Sequence, residues 1–182
     1  MIRIANVRLR GRKGLYTVEI KGSSIAGIYE YSGESGDING MGNLLTESFA
    51  IPHVHIDKVE TGDMIEGETL GIYQLGLAAD EAIKKAAEVK KSYDPDRIAK
   101  LVTEKLIHAA SNGVTHMRVF VDVDTFAGLR GLEGVLEARS RTKDLLEVQI
   151  VAFPQQGLLI DRGAEALVEE ALRKGADCGL PR

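Results

Sequence analysis

The chain has 182 residues, of which 44% are hydrophobic and 27% charged, and this suits one domain with a core, or one domain with a small appendage. A net charge of −4 and an aromatic content of 5% without tryptophan disfavour a nucleic-acid-binding protein. The N-terminus lacks the apolar stretch of a signal peptide, no apolar run reaches membrane-spanning length, and the single Cys178 excludes an intramolecular disulfide. We therefore expect a cytoplasmic protein with no membrane segment.

The first 47 residues are predicted to form β structure. Apolar and polar residues alternate in three runs with turn residues between them, at 2–9, 15–20 and 24–29. Residues 32–43 are rich in glycine and predict a loop, because they lack the preceding strand and following helix of a phosphate-binding turn.

From residue 44 the pattern changes to alternating strands and helices. Residues 44–51 predict a buried strand, 59–76 an active-site loop or lid, and 77–91 a helix. The next helix opens at Asp94-Pro95 and stops at Gly113.

The alternation continues to the end of the chain. Strands are predicted at 114–123 and 146–153 and a helix at 128–142. A last helix is capped by Asp161, with Leu172 among its inward residues, and residues 176–180 begin a fourth strand. Parallel strands with helical crossovers in this number form roughly half of a closed (β/α)8 barrel.

The segment His53-Val54-His55 follows the first of these barrel strands. Residues two apart on a strand point to the same face, and each neutral imidazole offers a nitrogen, so this pair can hold one metal ion. With 4 histidines in the chain, such a pair is expected by chance roughly 0.1 times. A pair of histidines bonded only to backbone partners is therefore the open alternative.

Polar residues also follow the other predicted strands, and the strand ends of an α/β barrel share one ligand-binding face. Asp122 and Asp124 end the second strand, although Asp124 is first expected to cap the following turn. Gln155 follows the third, and its amide can read an amide-like or pyrimidine edge. Lys58 is either a surface charge or a group that orients a carboxylate, whereas His116 lies at the opposite strand end and is expected to be structural.

Several segments in the same order resemble cytosine deaminase and its relatives in the amidohydrolase superfamily, which include enzymes that remove alkylamines from triazine rings. The segments are 51–58 (Ile-Pro-His-Val-His-Ile-Asp-Lys), 113–118 (Gly-Val-Thr-His-Met-Arg), 121–124 (Val-Asp-Val-Asp), 131–139 and 145–157. The last of them ends in Val-Ala-Phe-Pro-Gln-Gln-Gly. The resemblance implies a small β-sandwich portion at 1–47 and, at 48–182, the first half of a (β/α)8 hydrolase barrel, truncated at the fourth strand.

The resemblance also implies a divalent metal, iron or zinc, that activates water for the hydrolytic deamination of a cyclic amidine such as cytosine or a related pyrimidine or triazine. His53 and His55 match the first two metal ligands, and Gln155 matches the glutamine that binds the pyrimidine edge. Phe120 stands where the family often carries a histidine.

The family's third ligand histidine, its catalytic glutamate and its aspartate ligand come from later strands, so no catalytic residue is assigned in this chain. We expect an incomplete metal site, inactive in this chain alone, and self-association or a complementing C-terminal half. The alternatives are a catalytically inactive fragment or assembly subunit with a vestigial metal site, and a cupin-like β-barrel, which would need mostly β structure.

Overall fold

The computed structural model describes residues 1–58 and 89–179, and the chain divides into two compact units, Met1–Ser48 and Phe49–Arg182. The predicted loop at 59–76 and nearly all of the predicted helix at 77–91 lie outside the described residues. The described part is a mixed α/β fold with two sheets and three α-helices. None of its helices has the length and apolarity needed to cross a membrane.

The first unit is a five-stranded sheet. Its strands are β1 (Ile2–Leu9), β2 (Tyr16–Lys21), β3 (Ser24–Glu30), β4 (Ile38–Asn39) and β5 (Leu44–Leu45). β1, β2 and β3 are antiparallel neighbours, whereas β4 and β5 both pair with β1 in parallel. Strand β4 lies within the glycine-rich segment that we predicted to be a loop, so that prediction is wrong at these two residues.

The second unit contains a four-stranded parallel sheet with the order β6-β7-β8-β9, which is also the order along the chain. Its strands are β6 (Phe49–Val54), β7 (Val114–Asp122), β8 (Glu147–Phe153) and β9 (Cys178–Gly179). The helices are α1 (Pro95–Ser111) between β6 and β7, α2 (Arg130–Thr142) between β7 and β8, and α3 (Ala164–Lys174) between β8 and β9. Parallel strands with helical connections contradict the cupin-like alternative.

Apolar residues of the strands and helices form one buried core in this unit. Its fully buried members include Val102, Leu106, Val119, Val121, Leu132, Val135 and Ile150. Helix α1 begins as predicted, because Asp94 accepts a hydrogen bond from the Asp96 amide at 3.0 Å and Pro95 follows it. Helices α1 and α2 pack so closely at Gly134 that a Cβ atom there would lie 2.7 Å from Ile98.

The predicted strand at 44–51 is wrong, because it is two strands in two units. Leu44–Leu45 pairs with β1, whereas β6 starts at Phe49 and pairs with β7. The predicted burial is wrong too: Phe49 is 59% exposed, since β6 is the edge strand of the described sheet.

The start of α3 also differs from prediction. Asp161 is not its N-cap, since that position is Gly163 and has no side-chain cap. The Asp161 carboxylate instead accepts hydrogen bonds from the Gly163 and Thr125 amides. Leu172 is 42% exposed rather than inward, whereas Gly175 ends the helix in the left-handed conformation as predicted.

Candidate active site

The carboxyl ends of β6, β7 and β8 place the residues of a candidate site along one edge of the parallel sheet. His53 lies near the end of β6, and His55 follows, just before a short 3-10 helix, Ile56–Lys58. The centroids of the two imidazole rings are 5.3 Å apart, and the rings are tilted by 58°. An ion bound by a nitrogen of each ring lies roughly 3 Å from each centroid, so this separation permits a shared ion.

Two phenylalanines support the imidazoles. The His53 ring stacks on Phe120 at 3.9 Å, and the His55 ring meets the edge of Phe153 at 5.2 Å. Both phenylalanines are buried and form a small cluster with Val151, against which the partly buried Cys178 packs. Phe120 therefore supplies an apolar surface beside His53.

Asp122, the last residue of β7, is completely buried and faces three basic groups. Its carboxylate oxygens lie 3.6 Å from His55 Nδ1, 3.0 Å from Lys58 Nζ and 2.6 Å from Lys90 Nζ. Burial raises the pKa of Asp122, but the neighbouring His55 imidazole and the charges of Lys58 and Lys90 outweigh it and lower the pKa to about 2. The carboxylate is therefore ionised at neutral pH.

Lys90 is the main buried cation of the site. Its ammonium also donates to Asp124 Oδ2 at 2.7 Å, and its backbone carbonyl accepts from Arg130 at 3.2 Å. Burial lowers the pKa of Lys90, but Asp122 and Asp124 outweigh it and raise the pKa, so the ammonium stays charged. Asp124 Oδ1 accepts from the Phe126 and Ala127 amides, which confirms the predicted turn cap.

Asp57 is a second buried carboxyl group, in the 3-10 helix. Its Oδ2 accepts a hydrogen bond from the Asp122 amide at 3.1 Å. Burial, together with the negative charge of Asp122, raises the pKa of Asp57 to about 7. The two neighbouring carboxyl groups thus differ sharply: Asp122 is charged, and Asp57 readily holds a proton.

The donor set is suited to a divalent cation. One ligand atom each from His55, Asp57 and Asp122 lies within 4.8 Å of the other two. Within the described part of the chain, His55 Nδ1 and Asp57 Oδ1 are buried and have no hydrogen-bond partner. Imidazole nitrogen and carboxylate oxygen are ligands that zinc and iron accept, so the residues present fit such an ion. His53 is outside this group of three, although its ring lies beside His55.

The half-buried Gln155 joins the same network. Its Oε1 accepts a hydrogen bond from Lys58 Nζ at 3.4 Å, and Lys58 also pairs with Asp122. The structure thus brings the three residues singled out by sequence, His53, His55 and Gln155, to one edge of the sheet. His116 lies away from them, with its side chain 63% exposed and 3.5 Å from Glu147.

Lys90 was not predicted from the sequence to belong to this site, and no role was predicted for Asp57. Lys90 stood in a predicted helix with several other lysines, and nothing local distinguished it from a solvated one. One signal was available, since two aspartates after a buried strand require a cation if both are to be buried.

Similar proteins are known for nearly the whole chain. No family model matches the chain. Over 177 residues the chain is 32% identical to N-isopropylammelide isopropyl amidohydrolase from Pseudomonas sp. (strain ADP), covering 96% of this chain and 43% of that protein.

Solved structures are also similar to this chain over nearly its whole length. The 5-methylcytosine deaminase from Klebsiella pneumoniae, liganded with 5-fluorocytosine, is 28% identical with a TM-score of 0.83, over 98% of this chain and 42% of that one. N-isopropylammelide isopropylaminohydrolase from Burkholderia multivorans is 31% identical with a TM-score of 0.66, over 97% and 43%.

The chain spans less than half the length of the relatives it matches. Within that span the agreement in sequence and in fold covers both units. Homologues of this chain thus include N-isopropylammelide isopropylaminohydrolase and 5-methylcytosine deaminase, which belong to the amidohydrolase superfamily. The chain matches the N-terminal part of these proteins, about 40% of their length.

Proposed function

We propose that this chain supplies the metal-binding and part of the substrate-binding groups of a metal-dependent hydrolase acting on a cyclic amidine, such as cytosine or a related pyrimidine or triazine. The main support for the proposal is a series of contacts at the edge of the sheet. His55 lies beside Asp122, Asp122 pairs with Lys58, and Lys58 hydrogen-bonds Gln155. The names of its relatives support this substrate class.

We further propose that residues 48–182 are the first part of a (β/α)8 barrel and that residues 1–47 belong to a β-sandwich. The support is the order of the four described parallel strands, which is the same as their order along the chain. A doubly wound sheet would instead reverse its strand order at a switch point, and these four strands show none. A site at the carboxyl ends of the strands is where such barrels bind their ligands.

In this proposal His53 and His55 bind the ion, and Asp122, although it is one of the three grouped donors, orients His55 instead of binding the ion. Two ammonium groups lie within 3.0 Å of Asp122, and they oppose binding of a dication to that carboxylate. Asp122 is better suited to accept a hydrogen bond from one ring nitrogen of His55, which leaves the other nitrogen to the metal. When bound, iron or zinc supplies a water molecule of lowered pKa, which can attack the ring carbon that bears the amine.

The chain's own residues then bind and orient the substrate. Gln155 hydrogen-bonds the edge of the ring, and the apolar surface of Phe120 and Phe153 excludes water beneath the imidazoles. A catalytic metal ion generally has three protein ligands. We therefore propose that a further protein segment, from a complementing half or by self-association in the cytoplasm, completes the site.

The second candidate is an inactive fragment or assembly subunit with a vestigial metal site. The same ammonium groups favour it, because Lys58 and Lys90 already neutralise Asp122 without a metal ion. Metal binding by the chain separates the two candidates.

The test is equilibrium dialysis of the metal-free chain against micromolar zinc, with all four histidines replaced one at a time by alanine. We expect about one zinc ion per chain, lost or weakened at least tenfold in H53A and H55A, and unchanged in the exposed controls H108A and H116A. Equal zinc binding by all four variants would reject the proposed site. Ammonia release from cytosine, with and without an added C-terminal half of a relative, then tests the reaction.

A further inference from the structure

Lys58 occupies a position that joins the two halves of the proposed site. Its ammonium lies 3.0 Å from Asp122 Oδ2 and donates to Gln155 Oε1 at 3.4 Å. The side chain is 29% exposed, whereas Asp122 is fully buried, so the contact lies at the boundary between the core and the ligand-accessible face. The sequence predicted this lysine to be either a surface charge or a group that orients a carboxylate, and its contact with Gln155 was not expected.

The chemistry of Lys58 dictates which end of Gln155 faces it. An ammonium group has three donors and no acceptor, so only the oxygen of an amide can face it favourably. The Gln155 NH2 group must then point elsewhere, and it is the end of the amide that remains for a ligand. The two ends of an amide are nearly the same in shape. Without the lysine, either end of the Gln155 amide could therefore turn to a ligand.

We propose that Lys58 is a positioning residue that fixes the orientation of the Gln155 amide, so that the site presents an N–H donor. The inference rests on the proposed function, in which Gln155 contacts the substrate. It narrows the substrate class to rings with a hydrogen-bond acceptor, such as a carbonyl oxygen, on the edge that meets Gln155. Rings with only donors on that edge are excluded, because two donors would then face each other.

A ligand-free experiment tests the positioning itself. In the ¹⁵N-labelled 182-residue chain, the side-chain amide of Gln155 is assigned by its absence in Q155E, and its heteronuclear NOE is measured in wild type, K58M and K58R. We expect a rigid amide in wild type, a mobile one in K58M, and recovery in K58R, whose guanidinium can still donate to Gln155. The amides of Gln149 and Gln156 serve as internal controls and should not change.

Folding is not expected to obscure this result, because in K58M Asp122 retains Lys90 at 2.6 Å. Equal mobility of the Gln155 amide in wild type and K58M would overturn the positioning role. A general change that includes Gln149 and Gln156 would also overturn it, in favour of a purely structural role for Lys58.

Titration with 5-fluorocytosine tests the consequence for ligands. We expect the Gln155 amide protons to move downfield on binding, and the dissociation constant to rise about fivefold or more in K58M but little in K58R and in the exposed control K100M. Binding that is equally tight in K58M would refute the proposed role in ligand selection. Absence of binding in wild type would refute the part of the proposed function in which this chain by itself contacts the substrate through Gln155, while the ligand-free measurement would still decide on Lys58.

Discussion

Replacement of Lys90 by methionine should destabilise the chain strongly. The Lys90 side chain is 1% exposed, and its ammonium lies 2.6 Å from Asp122 and 2.7 Å from Asp124. Removing one partner of a buried ion pair costs about 3–5 kcal/mol, because the other charge remains buried. Asp122 keeps Lys58 in the variant, so the loss falls mainly on Asp124, and we expect the lower end of the range, about 3 kcal/mol.

Urea unfolding monitored by circular dichroism measures this loss directly. For a chain of this size, about 3 kcal/mol corresponds to a fall in Tm of about 6–12 °C. The control is K100M, at an exposed lysine of α1, which should change stability by less than about 0.5 kcal/mol.

A double variant isolates the origin of the effect. K90M/D124N should recover part of the stability that K90M loses, because it removes the unpaired carboxylate together with its partner. A K90M variant within about 1 kcal/mol of wild type would show that Lys90 does not neutralise the buried aspartates.

Three further predictions concern packing and pH. G134A should destabilise the chain by about 1–3 kcal/mol in urea unfolding, because its Cβ would lie 2.7 Å from atoms of α1. The control is G131A, whose Cβ meets its neighbours at 3.4 Å and should be tolerated. Equal effects of the two substitutions would contradict the close packing at Gly134. F120A should lower the free energy of unfolding by about 3 kcal/mol or more and weaken zinc binding, because it removes the surface on which His53 stacks. F120L should retain most of the stability. Unchanged zinc affinity in F120A would show that Phe120 does not support His53 as a ligand. Hydrogen bonding by Thr17 lowers the pKa of Glu34 to about 2. Ionised Glu34 therefore stabilises the fold above its unfolded pKa of 4.5. This contribution is lost as the pH falls from 4.5 towards 2. T17V should reduce that acid-side loss in urea titrations at pH 6, 4 and 3, and identical pH profiles would refute the reasoning.

Some features followed from sequence because they depend on neighbours within a few residues. The two-residue repeat of a strand predicts that His53 and His55 share a face, and their rings are indeed adjacent. Asp94 and Asp124 cap their turns because a short side chain reaches the amides two or three residues ahead. The order of strands and helices likewise followed from local periodicity.

Other features were decided by contacts between residues that are distant in the chain. Lys90 and Asp124 are 34 positions apart, and Lys58 and Gln155 are 97 apart, so no local pattern indicates that they meet. The predicted strand at 44–51 is divided because its two ends pair with different strands, Leu44–Leu45 with β1 and the residues from Phe49 onward with β7. Sequence alone thus determined the candidate ligands and their order, whereas only the tertiary structure decided which charges are buried together, because burial and pairing depend on how separate segments pack.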